Sequence, residues 1–503
     1  MTILPVIELF ALWVALPVAF FFGGASSTPA FVSVPGIIFM IAALVFSIYS
    51  YLVFFYMEGR LPSIFVKLRK PVVSGPYRFI RQPQYVGYSA FLIAMILISG
   101  KYWLTVFCTL AVSLLLVFSY IGEKQVARES EEYYSYMKRI PFLLPHRGKY
   151  IEFDYTRSVP WLFMATSLVV KLLVLFLVPS RVKNAGVLRK REPFIIALAH
   201  QTHFDGPLIF YSTWRYIRFV GTAIYVERLK LLLGFGTIPV RRYAVDTTAI
   251  RQMLSTVKAG LPLGIAPEAA RSWDGKALHV KNEIWKLFRM LKIPIVPVKF
   301  HGSQRLWPRW ANIFSPGFAT VEFGEAIDAY DPELEKKVMA FLSKRDATFE
   351  MPYRSYRHIE RLLWRCPECG SVSSIKGFHS GFSCSSCGKS WKRPSVNEVI
   401  DLHERIKPGS MGLSFPIKDR VVFEGREVVG IIMEDSMRIG TLLVPYSSIR
   451  NSSIEKNIEP VFGTTGEMIS FKSLNSALMW QEIVDFQIKF RIKRSDYHTE
   501  LWG

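Results

Sequence analysis

A histidine and an aspartate, His200 and Asp205, follow an apolar run of β type at residues 194–198. Gly206 and Pro207 come next, so both side chains are expected in one turn at the end of a strand. An imidazole can take a proton from a hydroxyl group, and a neighbouring carboxylate can fix the tautomer of that imidazole. The segment therefore predicts a catalytic base with an orienting partner, whereas a solvated or structural pair is the commoner use of such residues.

Two later runs of β type end in charged groups that suit an anionic substrate. One run ends at Arg242, and the next is followed by Glu268 and Arg271. Guanidinium groups bind phosphate through parallel hydrogen bonds, so the two arginines predict a phosphate site. A further apolar run, at residues 293–300, has prolines at its edges. The ends of successive predicted strands thus carry a possible base, arginine side chains that could bind phosphate, and a carboxylate.

The order of these motifs resembles the glycerophospholipid acyltransferase family, whose best-known members acylate 1-acylglycerol 3-phosphate. The similarity covers residues 180–330 and consists of His-x4-Asp, Ile-Pro-Val-x-Arg, Pro-Glu-x-x-Arg-Ser and Ile-Pro-Ile-Val-Pro-Val. It implies that His200 is the general base and that Asp205 orients it. It also implies an acyl thioester, on coenzyme A or acyl carrier protein, as the donor. The residues implied to hold the glycerol phosphate of the acceptor are Arg242, Glu268 and Arg271.

The chain departs from that family at two motifs. Ala199 stands where the family usually has asparagine, and Glu268-Ala-Ala-Arg271 replaces Glu-Gly-Thr-Arg. The lost threonine hydroxyl puts the identity of the acceptor in question more than the activity, because the base, its partner, the glutamate and both arginines match. A non-enzymatic lipid-binding platform with degenerate loops is the alternative. The joint presence of all these groups speaks against it.

The composition indicates a membrane protein with several domains. At 503 residues the chain exceeds a single core, half of its residues are hydrophobic, and its mean hydropathy is +0.24. A formal charge of +22 suits nucleic acid or an anionic membrane surface, and the long apolar segments favour the second. We therefore expect a lipid bilayer as partner and no nucleic acid. Five cysteines, four of them in Cys-x2-Cys pairs, favour a reducing compartment.

Four apolar segments in the first part of the chain are long enough, or nearly so, to cross a bilayer. Basic loops follow the second and the fourth segment, so the positive-inside rule places these loops and the N-terminus in the cytoplasm. We expect an integral membrane protein whose soluble domains face the cytoplasm. The first segment has no basic n-region and is expected to stay as an anchor. The segments are residues 3–24, 31–56, 85–99 and 103–121.

The loops beside the third and fourth segments carry an aromatic and basic motif. Gly75-Pro-Tyr-Arg-Phe-Ile-Arg-Gln-Pro-Gln-Tyr-Val-Gly87 enters the third segment, and an aromatic tail ends at Pro145. Such residues commonly anchor helix ends at the membrane interface. Over residues 35–146, however, the pieces resemble the isoprenylcysteine carboxyl methyltransferase and phospholipid methyltransferase superfamily, whose loops close over S-adenosylmethionine. The implied cofactor-binding residues are Tyr77, Arg81, Pro83, Tyr85, Gly87 and Glu123.

Two departures bear on methyltransferase activity. Gln82 replaces the histidine of that family, and Gly122 replaces the first glutamate of its pair. Glutamine can form hydrogen bonds but cannot accept a proton, and glycine removes a carboxylate. Two interpretations stay open. The domain is a methyltransferase acting on a lipid or isoprenoid substrate, or it has lost that activity and serves as a membrane anchor or lipid sensor.

A fifth apolar segment, residues 159–178, has Lys171 at its middle. A charge at that depth is costly, and a full crossing would move the acyltransferase motifs away from the cytoplasm. We expect a re-entrant or interfacial helix with Lys171 reaching the headgroups, and a true crossing is the alternative. Short strands then alternate with helical patterns over residues 181–330, which predicts an α/β sheet with helices on both sides.

Four cysteines form two knuckles with fourteen residues between them. This spacing is typical of a zinc ribbon, and a closed site of four thiolates is structural. The region after the ribbon has several runs of β type and one helical pattern, which is loosely similar to a pleckstrin-homology barrel. The predicted ligands of Zn²⁺ are Cys366, Cys369, Cys384 and Cys387.

The sequence thus predicts a multidomain protein that transfers a fatty acyl group from a thioester donor to the hydroxyl of a lysophospholipid. Such a reaction belongs to phospholipid biosynthesis or remodelling. The predicted parts are a helical transmembrane, methyltransferase-like domain at 1–150, a membrane-associated α/β acyltransferase domain at 151–345, a zinc ribbon at 360–394 and a mainly β domain at 395–503.

Overall fold

The computed structural model describes residues 30–59, 61, 71–99, 104–145, 158–189, 192–241, 246–465 and 467–499. The predicted first span, residues 3–24, lies outside the described residues, and so does Arg242. Within the described part, the predicted order of a helical region, an α/β sheet, a four-cysteine cluster and a β-rich region is confirmed.

The N-terminal region contains α1 (Ala30–Glu58), α2 (Pro83–Ser99), α3 (Leu104–Glu129) and α4 (Glu131–Arg139). Two windows, Val34–Glu58 in α1 and Cys108–Glu129 in α3, are long and apolar enough to cross a membrane. Helix α2 packs along α1, where a Cβ atom added at Gly87 would lie 2.9 Å from the side chain of Ser47. Glycine therefore permits the close approach of these two helices. The predicted third span is the shorter helix α2, at the expected place.

Helix α5 (Trp161–Leu177) lies between the N-terminal helices and the following domain. Its Lys171 side chain donates to the carbonyl oxygens of Tyr211 at 3.1 Å and Thr213 at 2.7 Å, and also to that of Phe210. These carbonyls lie at the C-terminal end of α6 (Asp205–Ser212), where helical partners are missing. The prediction that Lys171 reaches the headgroups is wrong, because the ammonium group caps a neighbouring helix.

The apolar faces of α1, α3 and α5 point partly outward. Large apolar side chains such as Ile38, Leu110 and Phe176 are exposed on them. Exposed apolar surface of this extent marks contact with lipid or with another protein. Together with the two candidate spans, it associates the chain with a membrane.

The central domain is a seven-stranded sheet with helices on both faces. The strands are β1 (Ser180–Lys183), β2 (Ile195–Leu198), β3 (Arg218–Thr222), β4 (Ile238–Val240), β5 (Leu263–Ile265), β6 (Ile295–His301) and β7 (Ala319–Phe323). Their order is β1-β7-β6-β2-β5-β3-β4, and β2 runs parallel to both of its neighbours. Every residue of β2 is buried, as expected for a strand that is covered on both faces.

Alternate residues of β2 face two separate cores. Ile195 and Ala197 pack with residues of the helices on one face, whereas Ile196 and Leu198 pack with α5 and α6 on the other. The carboxyl end of such a central strand is where α/β sheets bind ligands. The other helices of this domain are α7 (Ala223–Arg228), α8 (Lys230–Gly234), α9 (Thr247–Lys258), α10 (Asn282–Leu291) and α11 (Leu334–Leu342).

The region after the sheet domain contains a small ribbon and a β-rich domain. The ribbon strands are β8 (Ile375–Gly377), β9 (Gly381–Cys384) and β10 (Ser390–Lys392). The β-rich part consists of α12 (Val396–Ile406), β11 (Ile417–Phe423), β12 (Arg426–Ile432), β13 (Ser436–Ile439), β14 (Leu442–Pro445), β15 (Ile449–Glu455), β16 (Glu459–Thr464), β17 (Met468–Ser470), β18 (Lys472–Ser473) and α13 (Ala477–Phe486). Two antiparallel sheets, β14-β13-β12-β11-β18 and β15-β16-β17, form this mainly β domain.

One hydrophobic core joins these parts to the sheet domain. Trp273 and Trp310 of the sheet domain belong to the same buried cluster as Tyr356, Cys366 and Trp480. The ribbon and the β-rich domain therefore pack against the sheet domain through a shared hydrophobic core.

Candidate active site

His200 and Asp205 form a hydrogen-bonded pair beyond the carboxyl end of β2. The His200 Nδ1 atom lies 2.8 Å from Asp205 Oδ2, and the imidazole is 32% exposed whereas the carboxylate is 3% exposed. The carboxylate also accepts the backbone N–H groups of Gln201 at 2.8 Å and Thr202 at 3.0 Å. A carboxylate can only accept, so Nδ1 of the neutral imidazole carries the proton and Nε2 is left as the base.

Glu268 contacts the backbone of His200 from the buried side of the site. Its side chain is 4% exposed and does not line the cavity beside His200. Its carboxylate accepts the backbone N–H of His200, and the Ser272 N–H donates to the His200 carbonyl at 2.9 Å. Burial raises the pKa of Glu268, and the nearby Lys299 ammonium opposes this increase only in part. The loop after β5 thus fixes the backbone that carries the imidazole.

A cavity of about 320 Å³ opens beside the imidazole. One part of its wall is apolar and comes from the strands and helices on one side of the sheet. The other part carries the groups that can bind an anion or move a proton. The apolar wall includes Val220, Val240, Met253, Ile265 and Leu287, and the polar wall consists of His200, His203, Arg271, Arg309 and Asn457.

Arg271 and Arg309 make the polar wall positive. They are 7% and 4% exposed, and Arg309 Nη1 donates to the Arg271 carbonyl at 2.7 Å. The guanidinium carbon of Arg309 also lies 4.6 Å from the centroid of the Trp273 ring. Desolvation and the charges of Arg271, His200 and Arg309 lower the pKa of His203 to about 3, so this imidazole is neutral at physiological pH.

The structure brings most of the predicted acyltransferase residues together. His200 and Arg271 line one cavity, Asp205 holds the imidazole, and Glu268 holds its backbone. Arg242 lies outside the described residues, whereas Val240, the last residue of β4, lines the cavity. The sequence motifs include neither Arg309 nor Asn457. The signal for Arg309 was an arginine between two tryptophans, at residues 307–310, and Asn457 had none.

Three of the predicted cofactor residues, Tyr77, Arg81 and Glu123, belong to a hydrogen-bonded network that also contains Gln82 and Gln84. Arg81 Nη1 lies 2.9 Å from Glu123 Oε2, and Gln82 Nε2 donates to Glu123 Oε1 at 2.7 Å. Gln84 Nε2 donates to Gln82 Oε1 at 2.7 Å, and the Tyr77 hydroxyl donates to Gln84 Oε1 at 3.0 Å. Gln82 thus serves as a link between two side chains.

A second cavity, of about 590 Å³, lies next to this network, between the N-terminal helices and α5. Its wall includes Ser74, Pro76 and Arg78, but none of the six predicted cofactor residues lines it. Within the described residues, those side chains bond to one another or pack between helices. In this arrangement they line neither of the two cavities described above.

The four ribbon cysteines fit a structural metal. Their Sγ atoms lie within 4.8 Å of one another, and the distances Cys366–Cys387 and Cys369–Cys384 are both 3.8 Å. Four thiolates at about 2.3 Å from a tetrahedral Zn²⁺ ion would be separated by about 3.8 Å. These residues would hold the ion in a closed site, with no position left for a substrate.

Comparison with known proteins bears on both regions. Residues 180–301 match the family model described as Acyltransferase, and residues 31–130 match the model described as Phospholipid methyltransferase. Among solved structures, the chain is similar to the crystal structure of the 1-acyl-sn-glycerophosphate (LPA) acyltransferase PlsC from Thermotoga maritima. The identity is 20%, over 35% of this chain and 74% of that chain, with a TM-score of 0.31. The comparison with curated proteins gives no match. The two family matches assign a phospholipid methyltransferase domain to residues 31–130 and an acyltransferase domain to residues 180–301, and the enzyme class is that of an acyltransferase.

Proposed function

We propose that this enzyme transfers a fatty acyl group from an acyl thioester to the free hydroxyl of a lysophospholipid such as 1-acylglycerol 3-phosphate. One observation carries the proposal: a single cavity brings His200, two buried arginines and an apolar wall together. A lysophospholipid presents a hydroxyl, a phosphate and a hydrocarbon chain, and each of these groups meets a suitable part of the cavity.

The proposed reaction begins at the acceptor hydroxyl. His200 Nε2 takes its proton, and the oxygen attacks the carbonyl carbon of the thioester. The tetrahedral intermediate then expels the thiolate, which receives the proton from the imidazolium. The carboxylate of Asp205, 2.8 Å from Nδ1, stabilises the imidazolium between these two steps.

Two arginines, Arg271 and Arg242, are proposed to bind the acceptor phosphate. Arg271 lines the cavity and offers a planar set of donors, which match phosphate oxygens in pairs. Arg242 is proposed to add a second guanidinium, as the family resemblance implies. Glu268 acts on the acceptor only through His200, since its carboxylate binds the backbone beneath the imidazole.

The soluble domains are proposed to face the cytoplasm, where acyl thioesters are made. Exposed basic side chains cluster at the end of α3 and on α4, and the positive-inside rule assigns such clusters to the cytoplasmic side. They would also attract anionic headgroups. The cluster consists of Lys124, Arg128, Lys138 and Arg139.

The direct test is acyl transfer to 1-acylglycerol 3-phosphate, with the product lipid measured by mass spectrometry. Replacing a general base costs about 10²- to 10⁴-fold in turnover, so His200→Ala should lose at least that much while it stays folded. His279→Ala is a matched control, because His279 neither lines the cavity nor contacts His200. Equal turnover of His200→Ala and the wild type would refute the proposal.

A methyltransferase acting on a lipid substrate is the second candidate function. The family match at residues 31–130 favours it. The contacts of Glu123 oppose it, because Arg81 and Gln82 already occupy its carboxylate. We therefore propose that the domain serves this chain as a membrane anchor.

A further inference from the structure

A turn of the β-rich domain reaches into the acyltransferase cavity. Asn457 lies in the turn between β15 and β16 and lines the cavity together with Ile454. Asn457 Oδ1 accepts hydrogen bonds from Arg271 Nη2 at 2.8 Å and from Arg309 Nε at 3.4 Å. Arg309 Nη2 also donates to the Ile454 carbonyl at 3.2 Å. A domain outside the acyltransferase match thus contacts both arginines of the polar wall.

The orientation of the Asn457 amide follows from its partners. A guanidinium group can only donate, so the atom of Asn457 that faces Arg271 and Arg309 is the carbonyl oxygen. The amide nitrogen, Nδ2, is therefore the remaining polar atom of the side chain. No protein acceptor for Nδ2 is found in the part of the chain that the structure describes. Asn457 has φ +65°, a left-handed conformation that asparagine tolerates better than most residues.

We propose that Asn457 is an acceptor-binding residue: Nδ2 donates to the anionic head group of the acceptor while Oδ1 holds Arg271 and Arg309 beside that group. The inference rests on the proposed function of the cavity and adds a residue to it. The matched acyltransferase region, residues 180–301, is then an incomplete acceptor site, because the β-rich domain supplies one wall.

Two substitutions separate this role from a purely structural one. Asn457→Gly removes the amide and keeps a residue that adopts φ +65° without strain. Asn457→Asp keeps the oxygen that the arginines bind, but replaces the donor by a charge that repels phosphate. Lys456→Gly is the matched control. Lys456 lies in the same turn at φ +51°, and its exposed side chain pairs with Glu459.

The full chain is assayed with 1-acylglycerol 3-phosphate and an acyl-CoA. Loss of one hydrogen bond to a charged group predicts that Asn457→Gly raises the KM for the acceptor about 10- to 100-fold. The kcat and the KM for acyl-CoA should change less than about twofold, because the amide contacts neither the base nor the donor. Asn457→Asp should raise the acceptor KM further, and Lys456→Gly should leave it unchanged. An unchanged or lower acceptor KM in Asn457→Gly would overturn the inference.

Ligand-induced thermal stabilisation tests the same site without a catalytic assay. Glycerol 3-phosphate should raise the unfolding temperature of the wild type and have little effect on Asn457→Asp. If the wild type shows this stabilisation but does not acylate the lysophospholipid, the proposed function is contradicted and the role of Asn457 in binding the anion is not. An equal response from the wild type and Asn457→Asp would contradict the role of Asn457.

Discussion

The Nδ1 atom of His403 lies 3.0 Å from the Oδ2 atom of Asp274, and both side chains are buried. Asp274 follows Arg271 in the loop after β5, whereas His403 belongs to α12. The opposite ring nitrogen, Nε2, lies 2.9 Å from Glu482 of α13. A buried imidazolium between two carboxylates thus connects the loop of the active site to the β-rich domain.

We expect this triad to make stability depend on pH. Burial alone would lower the pKa of His403, but Glu482 and Asp274 raise it from the ordinary 6.5 to about 9. Because the folded-state pKa is the higher one, the contribution of His403 is complete below pH 6.5 and is lost as the pH rises through 9. His403→Gln should lower the free energy of unfolding by about 3 kcal/mol at pH 6. Denaturant titrations at pH 6 and pH 9.5 would measure this, and equal losses at both values would contradict the charged triad.

Metal analysis should find about one zinc ion per chain, since four thiolates form one closed site. Cys366→Ser should lose the ion and, because Cys366 belongs to the core that contains Trp273 and Trp310, should also reduce acyl transfer. Cys108→Ser is the control: Cys108 lies in α3, away from the ribbon. Full activity of a zinc-free protein would show that the ribbon does not support the catalytic domain.

Lys171→Met should destabilise the protein. The substitution leaves the carbonyls of Tyr211 and Thr213 without their donor, which costs about 1–3 kcal/mol when such groups are buried. Lys171→Arg should restore part of this loss. Thermal unfolding and binding to anionic vesicles are measured for the wild type and Lys171→Met. If Lys171 bound lipid headgroups instead, the substitution would weaken vesicle binding and leave the unfolding temperature unchanged.

Ala269→Gly should stabilise the protein by about 1 kcal/mol. Ala269 has φ +57°, a left-handed conformation that costs about 1–2 kcal/mol for a residue with a Cβ atom. The family that this loop resembles has glycine here. Ala270→Gly is the control, since Ala270 is buried and is not among the residues with positive φ. That control should lose stability, and a loss of similar size in both variants would contradict strain at Ala269.

Calorimetric titration of the full chain with S-adenosylmethionine should show no saturable binding up to about 1 mM, a concentration that detects a binding free energy of about −4 kcal/mol. The reason is that Arg81, Gln82 and Glu123 bond to one another. An acyl-CoA titration of the same sample confirms that the protein is folded. Saturable binding of S-adenosylmethionine would restore the methyltransferase hypothesis.

The sequence predicts a helix or strand well where residues close in the chain determine it. The pattern of residues 247–258 indicates a helix, and these residues form α9, because Asp246 caps the first turn and one face is apolar. Strand β3 has no comparable local signal, because its first residue is an arginine. Arg218 is buried and donates to the Ser158 carbonyl at 3.1 Å, a tertiary partner that no local pattern reports.

The candidate site divides in the same way. His200 and Asp205 lie in one turn, so their spacing alone predicted the pair that the structure shows at 2.8 Å. Asn457 meets Arg271 only because the β-rich domain shares a core with the sheet domain. The motif of Glu268 predicts contact with the acceptor, but it does not reveal that the buried carboxylate also accepts the backbone N–H of His200.

The shared core around Trp273, Trp310 and Trp480 has a consequence for synthesis of the protein. Translation delivers the imidazole of His200 long before the turn that carries Asn457, and helix α13 leaves the ribosome later still. A nascent chain that stops short of these elements lacks both a wall of its acceptor site and part of the hydrophobic cluster beneath it. We therefore expect the acceptor site to be complete only after the last elements of the chain have been synthesised.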